Sequence, residues 1–359
     1  MSTTSSATSR MGRFLQRRSR VAAVVITITA TLLSSVACSS STPPDGTPPE
    51  SLTVRKDIAY APAQPAGSRG HLLDLYVPTK AGKGLRPLLI VTGGSAWRGD
   101  TGKEFAAEIA PHFTAAGYVV AGVSVRSSSQ ARFPAQVHDA KAAVRWLRAH
   151  APRYGIDPTR FAIMGDSSGG YASTMVAVTG DVPHLEGTVG VTGVSSKVQA
   201  AIDLYSPTDF PMMNAQMLPG ACEAFNRQMG VTDCHDDLGS PESQLIGCAI
   251  QTCPTRAREA NPITYVSTTD PPILIAHGQA DTLVPHDQSK LLYQAVERTC
   301  ATATWYSVPD VGHSTTILAP DVATPEVRST AGCQAQPISQ EASRPTLAVI
   351  QSFIESSWG

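Results

Sequence analysis

Short apolar segments with strand character alternate with longer helical patterns along most of this chain, and this alternation limits the possible folds more than any other feature. The strand segments are Leu72–Val77, Pro87–Thr92, Tyr118–Val125, Phe161–Met164, Ala200–Tyr205, Pro272–Ala276 and Thr302–Val308. Helical patterns are found near Lys103–Ala116, over Pro134–Ala151, from about Ser168 and over Ala342–Ser356. The alternation predicts an α/β domain with a mostly parallel central sheet and helices on both faces.

The segment Pro134–Ala151 has a clear helical periodicity. Its apolar positions are Val137, Ala140, Val144 and Leu147. The basic residues Lys141, Arg145 and Arg148 fall largely on the opposite side. This pattern predicts an amphipathic helix packed on the sheet.

The sequence Gly165-Asp166-Ser167-Ser168-Gly169 follows a short apolar strand and precedes a helical pattern. This is the Gly-x-Ser-x-Gly pattern in the strand–turn–helix context that gives it meaning. Such a turn exposes the serine hydroxyl at a helix N-terminus, where peptide dipoles favour developing negative charge. We therefore predict Ser167 as a catalytic nucleophile.

A serine hydroxyl needs a general base, and the base needs an orienting acid. In folds with this turn, the acid and then the histidine follow the serine along the chain. Asp281 follows the strand Pro272–Ala276 and is the predicted acid, with Asp209 as the reserve candidate. The only histidines after Asp281 in the chain are His286 and His313. His313 is the predicted base, because His286 is too close to Asp281 in the chain to reach both partners.

The oxyanion formed during acyl transfer needs backbone N–H donors from the residue after the nucleophile and from an early strand-end loop. Ser168 is the first predicted donor. The loop Gly93-Gly94-Ser95-Ala96-Trp97 follows the strand Pro87–Thr92, so Gly94 and Ser95 are predicted as the others. Trp97 is expected to pack beside the pocket and not to act in catalysis.

The chain from about residue 52 onward resembles the α/β-hydrolase superfamily, and within it the esterase/lipase group that includes feruloyl-esterase-like and hormone-sensitive-lipase-like enzymes. The matching segments are Leu73-Asp74-Leu75-Tyr76-Val77-Pro78, Gly94–Trp97, Phe133-Pro134-Ala135-Gln136 with Asp139, Gly165–Gly170, Pro271–Pro285 and Gly312-His313. The resemblance implies a carboxylic ester hydrolase with Ser167 as nucleophile, His313 as base and Asp281 as its orienting acid. It also implies that no metal or organic cofactor is required. Relatives often carry His-Gly-Gly where this chain has Thr92-Gly93-Gly94.

The first 50 residues have the features of an export signal and a tether. Five arginines and no acidic residue precede an uncharged, mostly apolar run from Val21 to Ala37, which is typical of a signal peptide over residues 1–37. Ser34-Ser35-Val36-Ala37-Cys38 resembles a bacterial lipobox, although Ser35 stands where leucine is commonest. We expect lipidation at Cys38 and a Pro/Ser-rich tether over residues 38–50, hence a membrane-anchored lipoprotein or, alternatively, a secreted protein. The signal is complete whether translation starts at Met1 or Met11.

The catalytic domain is expected to span residues 51–359, with residues 210–262 as a cap-like insertion over one end of the sheet. Met212, Met213, Met217 and Leu218 offer apolar surface there, either to the site or to the main domain. Besides Cys38 there are six cysteines, at 222, 234, 248, 253, 300 and 333. An even number in an exported protein predicts up to three disulfides. A bond between Cys300 and Cys333 would tether the His313 loop.

Composition excludes some functions and leaves others open. With 28 Lys+Arg against 29 Asp+Glu, the charge gives no support for nucleic-acid binding. The expected partner is a small-molecule or lipid ester. A prolyl-oligopeptidase-type peptidase shares the fold but usually carries a large extra domain, for which the segment before the first strand is too short. An envelope acyltransferase and a non-catalytic surface binding protein are further alternatives.

Overall fold

The computed structural model describes residues 52–80, 84–337 and 343–358. The predicted signal peptide, Cys38 and the tether lie outside these residues and stay predictions. Among the described residues, no helix is both long and apolar enough to cross a membrane.

The described residues form one central sheet of ten strands. The strands are β1 (Leu52–Ala59), β2 (Leu72–Pro78), β3 (Arg86–Thr92), β4 (Val119–Val123), β5 (Ile156–Asp166), β6 (Ala200–Leu204), β7 (Ile273–Gly278), β8 (Ala303–Val308), β9 (Glu326–Ala331) and β10 (Gln334–Pro337). Their spatial order is β1-β2-β4-β3-β5-β6-β7-β8-β9-β10. The central run from β4 to β8 is parallel, whereas the strands at both edges pair antiparallel. The predicted mostly parallel sheet is confirmed.

In the described part of the chain, ten α-helices connect or cover the strands. They are α1 (Ala106–Ala115), α2 (Ala135–Ala149), α3 (Ala151–Tyr154), α4 (Ser168–Val178), α5 (Met213–Gln216), α6 (Ala221–Met229), α7 (Pro241–Ile246), α8 (Pro254–Ala260), α9 (Asp287–Arg298) and α10 (Leu347–Ser356). The closing helix starts at Leu347, because Thr346 accepts the Val349 N–H and caps it. Helices α5 to α8 all lie in the segment between β6 and β7.

The sheet separates two apolar layers. Successive side chains of a strand point to opposite faces, so Leu88 and Ile90 of β3 join one layer while Leu89 and Val91 join the other. Residues of α2 and α9 complete the first layer, and residues of α1 and α10 complete the second. Helices therefore cover both faces of the sheet, as predicted.

The basic side of α2 differs from a solvated helix face. Lys141 is fully buried and Arg145 is 1% exposed. Arg145 Nη1 lies 2.7 Å from Glu186 Oε1, and Lys141 Nζ lies 3.2 Å from Glu186 Oε2. Backbone carbonyls of Thr179, Val189 and Val191 accept further bonds from the two cations. The two charges therefore fasten the segment that precedes β6 onto the core.

Three disulfides are present in the described part of the chain. They join Cys222 to Cys234, Cys248 to Cys253 and Cys300 to Cys333. The first two lie within residues 210–262, where the cysteines are densest. The third closes a 33-residue separation that contains His313. The pairing matches the predicted number of bonds, including the proposed bond between Cys300 and Cys333.

Candidate active site

Ser167 occupies a strained turn between β5 and α4. Its backbone has φ 51° and ψ −125°, in a region that non-glycine residues rarely adopt. Two backbone hydrogen bonds stabilise the turn. The Ser167 N–H donates to the Leu204 carbonyl at 2.8 Å, and the Ser167 carbonyl accepts the Tyr171 N–H at 2.9 Å. A Cβ atom at Gly169 would lie 2.1 Å from the Thr92 carbonyl oxygen. Glycine is therefore required there for α4 to approach β3 so closely.

Asp281 and His313 follow the carboxyl ends of the neighbouring strands β7 and β8 and are in direct contact. His313 Nδ1 donates to Asp281 Oδ2 at 2.7 Å. The other carboxylate oxygen, Oδ1, accepts the backbone N–H groups of Leu283 and Val284 at 2.8 and 3.0 Å. Since Nδ1 holds the ring proton of neutral His313, Nε2 is left with a lone pair that can take a proton.

A second histidine binds the same carboxylate, and sequence reasoning missed its role. His277 is fully buried at the end of β7. Its Nε2 lies 3.1 Å from Asp281 Oδ2 and 3.0 Å from the Val284 carbonyl oxygen. Both are acceptors, so Nε2 carries the proton, and Nδ1 accepts from the Ser289 hydroxyl at 2.6 Å. The signal in the sequence was a histidine at the end of a strand, four positions before the predicted acid.

The charge state of Asp281 follows from these contacts. Burial by itself would raise the pKa of Asp281, but the hydrogen bonds from His277 and His313 outweigh burial and hold the pKa well below its usual range. Asp281 is therefore ionised at neutral pH, as a group that orients and stabilises a protonated histidine must be.

Ser167 and His313 line one cavity of about 380 Å³, together with the loop from Gly94 to Arg98. No hydrogen bond joins Ser167 Oγ to His313 within the described residues. Catalytic hydrogen bonds are often long before substrate binds. The structure thus brings the three predicted residues to one site. The hydrogen bond between Asp281 and His313 is formed, whereas the one between His313 and Ser167 is not.

Contrary to the prediction from the sequence, the loop from Gly93 to Trp97 does not leave the amides of Gly94 and Ser95 free for an oxyanion. The Gly94 N–H donates to Asp166 Oδ1 at 2.7 Å, and the Ser95 N–H donates to Ser168 Oγ at 2.9 Å. Both amides are therefore already bonded by side chains of the nucleophile turn. Ala96, with φ 52°, also lines the cavity. Within the described chain, the amides of Ala96 and Ser168 have no hydrogen-bond partner and are free to bind an oxyanion.

The reserve acid Asp209 and the histidine not chosen as base, His286, lie outside this arrangement. Asp209 Oδ1 accepts a hydrogen bond from Asn261 Nδ2 at 2.8 Å, and burial raises the pKa of Asp209. His286 Nε2 lies 3.0 Å from the Ser307 hydroxyl, and burial lowers the pKa of His286 to about 4. Neither residue contacts the Asp281–His313 pair by a hydrogen bond among the described residues.

The insertion lines the cavity with residues other than the predicted ones. Phe225, Met229, His235 and Glu242 form part of its wall, whereas the methionines at 212, 213 and 217 and Leu218 do not. Met213 instead packs in a core cluster with Trp97, Tyr171 and Phe210. The main-domain packing role is therefore the correct one for Met213. Trp97 is 4% exposed and packs beside the cavity, as predicted.

Among the described residues, no group of His, Cys, Asp and Glu side chains is arranged to hold a metal ion. What the site presents is a serine at a helix N-terminus, a histidine–aspartate pair and two unbonded amides. This combination can form and resolve an acyl-enzyme.

A family model for BD-FAE matches residues 73–296 of this chain. The chain belongs to the BD-FAE family. The match includes the Ser167 turn and Asp281 and ends before His313. Together with the sheet topology, it confirms the resemblance to the α/β-hydrolase superfamily and its esterase group.

Relatives of this BD-FAE chain carry esterase names. The probable carboxylic ester hydrolase LipM of Mycobacterium tuberculosis is 28% identical over 234 residues, which are 65% of this chain and 49% of LipM. Esterase LipQ of the same organism is 26% identical over 260 residues, 72% of this chain and 56% of LipQ. This chain therefore spans about half the length of these two relatives.

Solved structures agree with this BD-FAE fold. A truncated form of a carbohydrate esterase from gut microbiota is 32% identical with a TM-score of 0.64, and the alignment covers 74% of this chain and 90% of that chain. The bifunctional GH43-CE protein of Bacteroides eggerthii is 27% identical with a TM-score of 0.68, covering 85% of this chain and 35% of that chain.

Proposed function

We propose that this chain is a serine hydrolase that cleaves carboxylic esters through an acyl-enzyme on Ser167. The observation that carries the proposal is the 2.7 Å contact between His313 Nδ1 and Asp281 Oδ2, on the same cavity wall as the strained Ser167 turn. The names of the related esterases support the reaction class. A peptidase or transferase would use the same residues, but no contact in the cavity favours either.

The reaction follows from the positions of these groups. Ser167 Oγ attacks the ester carbonyl carbon while His313 Nε2 takes its proton, and Asp281 stabilises the imidazolium. The amides of Ala96 and Ser168 bind the oxyanion, and loss of one such donor typically costs about 3 kcal/mol of barrier. His313 then gives its proton to the departing alcohol. Water attacks the acyl-enzyme by the same route and releases the acid.

Hydrolysis of p-nitrophenyl esters from acetate to octanoate by the full chain tests this proposal. We expect turnover by the wild type and a loss of about 1000-fold or more in Ser167→Ala, since removing a triad member costs several orders of magnitude. Ser352→Ala, an exposed serine on α10, is the matched control and should retain full activity. Activity that survives in Ser167→Ala would overturn the assignment of the nucleophile.

We further propose that the chain is exported and anchored to the bacterial membrane through lipid on Cys38. The basic and apolar segments before Cys38 support export, as do three disulfides in the described chain, because disulfides persist in oxidising compartments. Labelling with radioactive palmitate in a bacterial host tests the anchor. Label should enter the wild type and be absent from Cys38→Ser. Label that remains in Cys38→Ser would contradict lipidation at this residue.

A further inference from the structure

The cap-like insertion contributes a buried polar pair to the wall of the active-site cavity. His235 is fully buried and Glu242 is 3% exposed, yet both line the cavity that Ser167 and His313 also line. His235 Nδ1 lies 3.0 Å from Glu242 Oε2. The ester hydrolysis proposed above assigns neither residue a role.

The pair contains polar atoms that have no hydrogen-bond partner in the described part of the chain. His235 Nε2 is buried and has no hydrogen-bond partner within the described part of the chain. Since the Glu242 carboxylate can only accept, Nδ1 of His235 carries a proton; in the neutral form of the ring, Nε2 then offers a lone pair. Within the same residues, Glu242 uses only Oε2 in a hydrogen bond. Buried polar atoms without partners are unfavourable and uncommon, so a bound group that donates hydrogen bonds fits this wall.

The backbone around His235 is held firmly. Asn214 Oδ1 accepts the His235 N–H at 2.8 Å, and Asn226 Oδ1 accepts the Cys234 N–H at 2.8 Å. The disulfide from Cys222 to Cys234 fixes the preceding residue, and the Phe225 ring centre lies 4.1 Å from that of His235. A ring fixed in this way is suited to recognition, because it loses little freedom when a ligand binds.

We propose that His235 and Glu242 form a specificity subsite that accepts hydrogen bonds from a free hydroxyl group on the ester substrate. This inference rests on the proposed ester hydrolysis. Phe225, Met229, Leu283 and Val284 supply apolar wall in the same cavity. A plain alkyl ester covers this wall and leaves both acceptors unpaired, whereas a hydroxylated ester also pairs them. Sites built to bind a hydroxyl discriminate strongly against analogues that lack it.

The hydroxyl group can be on the alcohol part or on the acyl part of the ester, and two pairs of esters distinguish these two positions. Glycerol 1-acetate and propyl acetate share the acyl group and differ by two hydroxyls on the alcohol. Ethyl 3-hydroxybutyrate and ethyl butyrate share the alcohol and differ by one hydroxyl on the acyl chain. The kcat/KM of the full chain is measured for all four esters, and the pair with the larger preference identifies the side of the substrate that meets the subsite.

Two variants test whether the pair causes the preference. Glu242→Gln keeps the side-chain shape and replaces an acceptor oxygen by a donor, and His235→Asn keeps a donor toward Glu242 but lacks an atom at the Nε2 position. We expect the wild type to favour the hydroxylated ester of one pair by at least about tenfold, the gain expected from one buried hydrogen bond. Each variant should lose that preference, so that kcat/KM for the hydroxylated ester falls by more than kcat/KM for its unhydroxylated partner. His184→Asn, an exposed histidine outside the cavity, should change neither value.

Equal losses on both members of a pair would assign His235 and Glu242 a structural role and overturn the subsite. Hydrolysis by the wild type without any preference would overturn it as well, while leaving the proposed function intact. If the wild type hydrolyses none of the four esters, the proposed function fails, and the subsite fails with it.

Discussion

His277 Nε2 lies 3.1 Å from Asp281 Oδ2, the same oxygen that His313 Nδ1 contacts at 2.7 Å. The acid of the site is thus held from two sides, by a buried histidine that never faces the cavity and by the predicted base. Together with the amides of Leu283 and Val284, these contacts fix the carboxylate before any substrate binds. Such support is what keeps catalytic groups in productive geometry.

His277 is therefore expected to act as a positioning residue for Asp281. His277→Leu removes a hydrogen bond to a charged group, which is worth about 1.5–3 kcal/mol, so kcat/KM should fall about 10- to 100-fold. The acid limb of the pH profile reports protonation of the base, and it should move to higher pH, because an Asp281 carboxylate with one donor fewer attracts the protonated His313 more strongly.

His277→Gln is the matched variant, since its amide can still donate to Asp281. It should recover most of the activity and the wild-type acid limb. Equal losses in the Leu and Gln variants, with an unmoved pH profile, would mean that His277 serves only packing.

Gly94 is expected to be intolerant of any side chain. A Cβ atom there would lie 2.6 Å from Ser167 Cβ and 2.7 Å from the Asp166 carbonyl oxygen. Gly94→Ala must therefore displace the nucleophile turn. A displacement of catalytic groups by about 1 Å can lower the rate about 100-fold. Gly180→Ala is the control, because its new Cβ meets only the flexible Lys197 side chain. Turnover of Gly94→Ala within a few-fold of the wild type would contradict the close packing of loop and nucleophile.

The bond between Cys300 and Cys333 is expected to stabilise the chain and the position of His313. Its 33-residue separation corresponds to up to about 4 kcal/mol of unfolding free energy in the chain-entropy account. Urea unfolding of the Cys300→Ser, Cys333→Ser double variant should show a loss of about 2–4 kcal/mol, and kcat should be lower. Removing the bond between Cys248 and Cys253, separated by 5 residues, should cost less. Unchanged stability and activity in the first variant would count against the tether.

Acid should destabilise the fold partly through Asp281. Its pKa is lower in the folded chain than in the unfolded chain, where it is about 3.9. Its contribution is therefore complete above the unfolded pKa and is lost as pH falls from about 4 through the folded pKa. Unfolding free energies measured at pH 5, 4 and 3 should fall less steeply in Asp281→Asn than in the wild type.

Asp166 should affect the pH dependence of stability in the opposite direction to Asp281. Burial raises the pKa of Asp166 in the folded chain, so its protonation favours the folded state as pH falls. Asp166→Asn should therefore lose stability more steeply than the wild type over the same range. Parallel pH dependence in both variants and the wild type would contradict the two directions of pKa shift.

The sequence was sufficient for the parts of the fold that carry strong local patterns. The buried strands β2 to β8 are apolar runs, and Ser167 lies in a motif whose geometry is local. Strand β1 was not predicted because it is almost wholly exposed, so no alternation of apolar residues marks it. Strand β9, which lies next to the edge strand β10, has only one buried residue.

Contacts between distant residues account for what the sequence could not predict in the site. The Gly94 and Ser95 amides are taken by Asp166 and Ser168, more than 70 residues away in the chain. The hydrogen bond from His277 to Asp281 depends on the path of the chain after β7, which brings Asp281 back beside His277. The burial of Lys141 and Arg145 depends on Glu186, which no local pattern links to α2.

Trapping of the nucleophile tests the central claim most directly. The full chain is incubated with a dialkyl p-nitrophenyl phosphate, and the modified peptide is located by mass spectrometry. The account predicts one phosphoryl adduct on Ser167, its absence in Ser167→Ala and much slower formation in His313→Ala. An adduct on another residue, or undiminished labelling of Ser167→Ala, would contradict it.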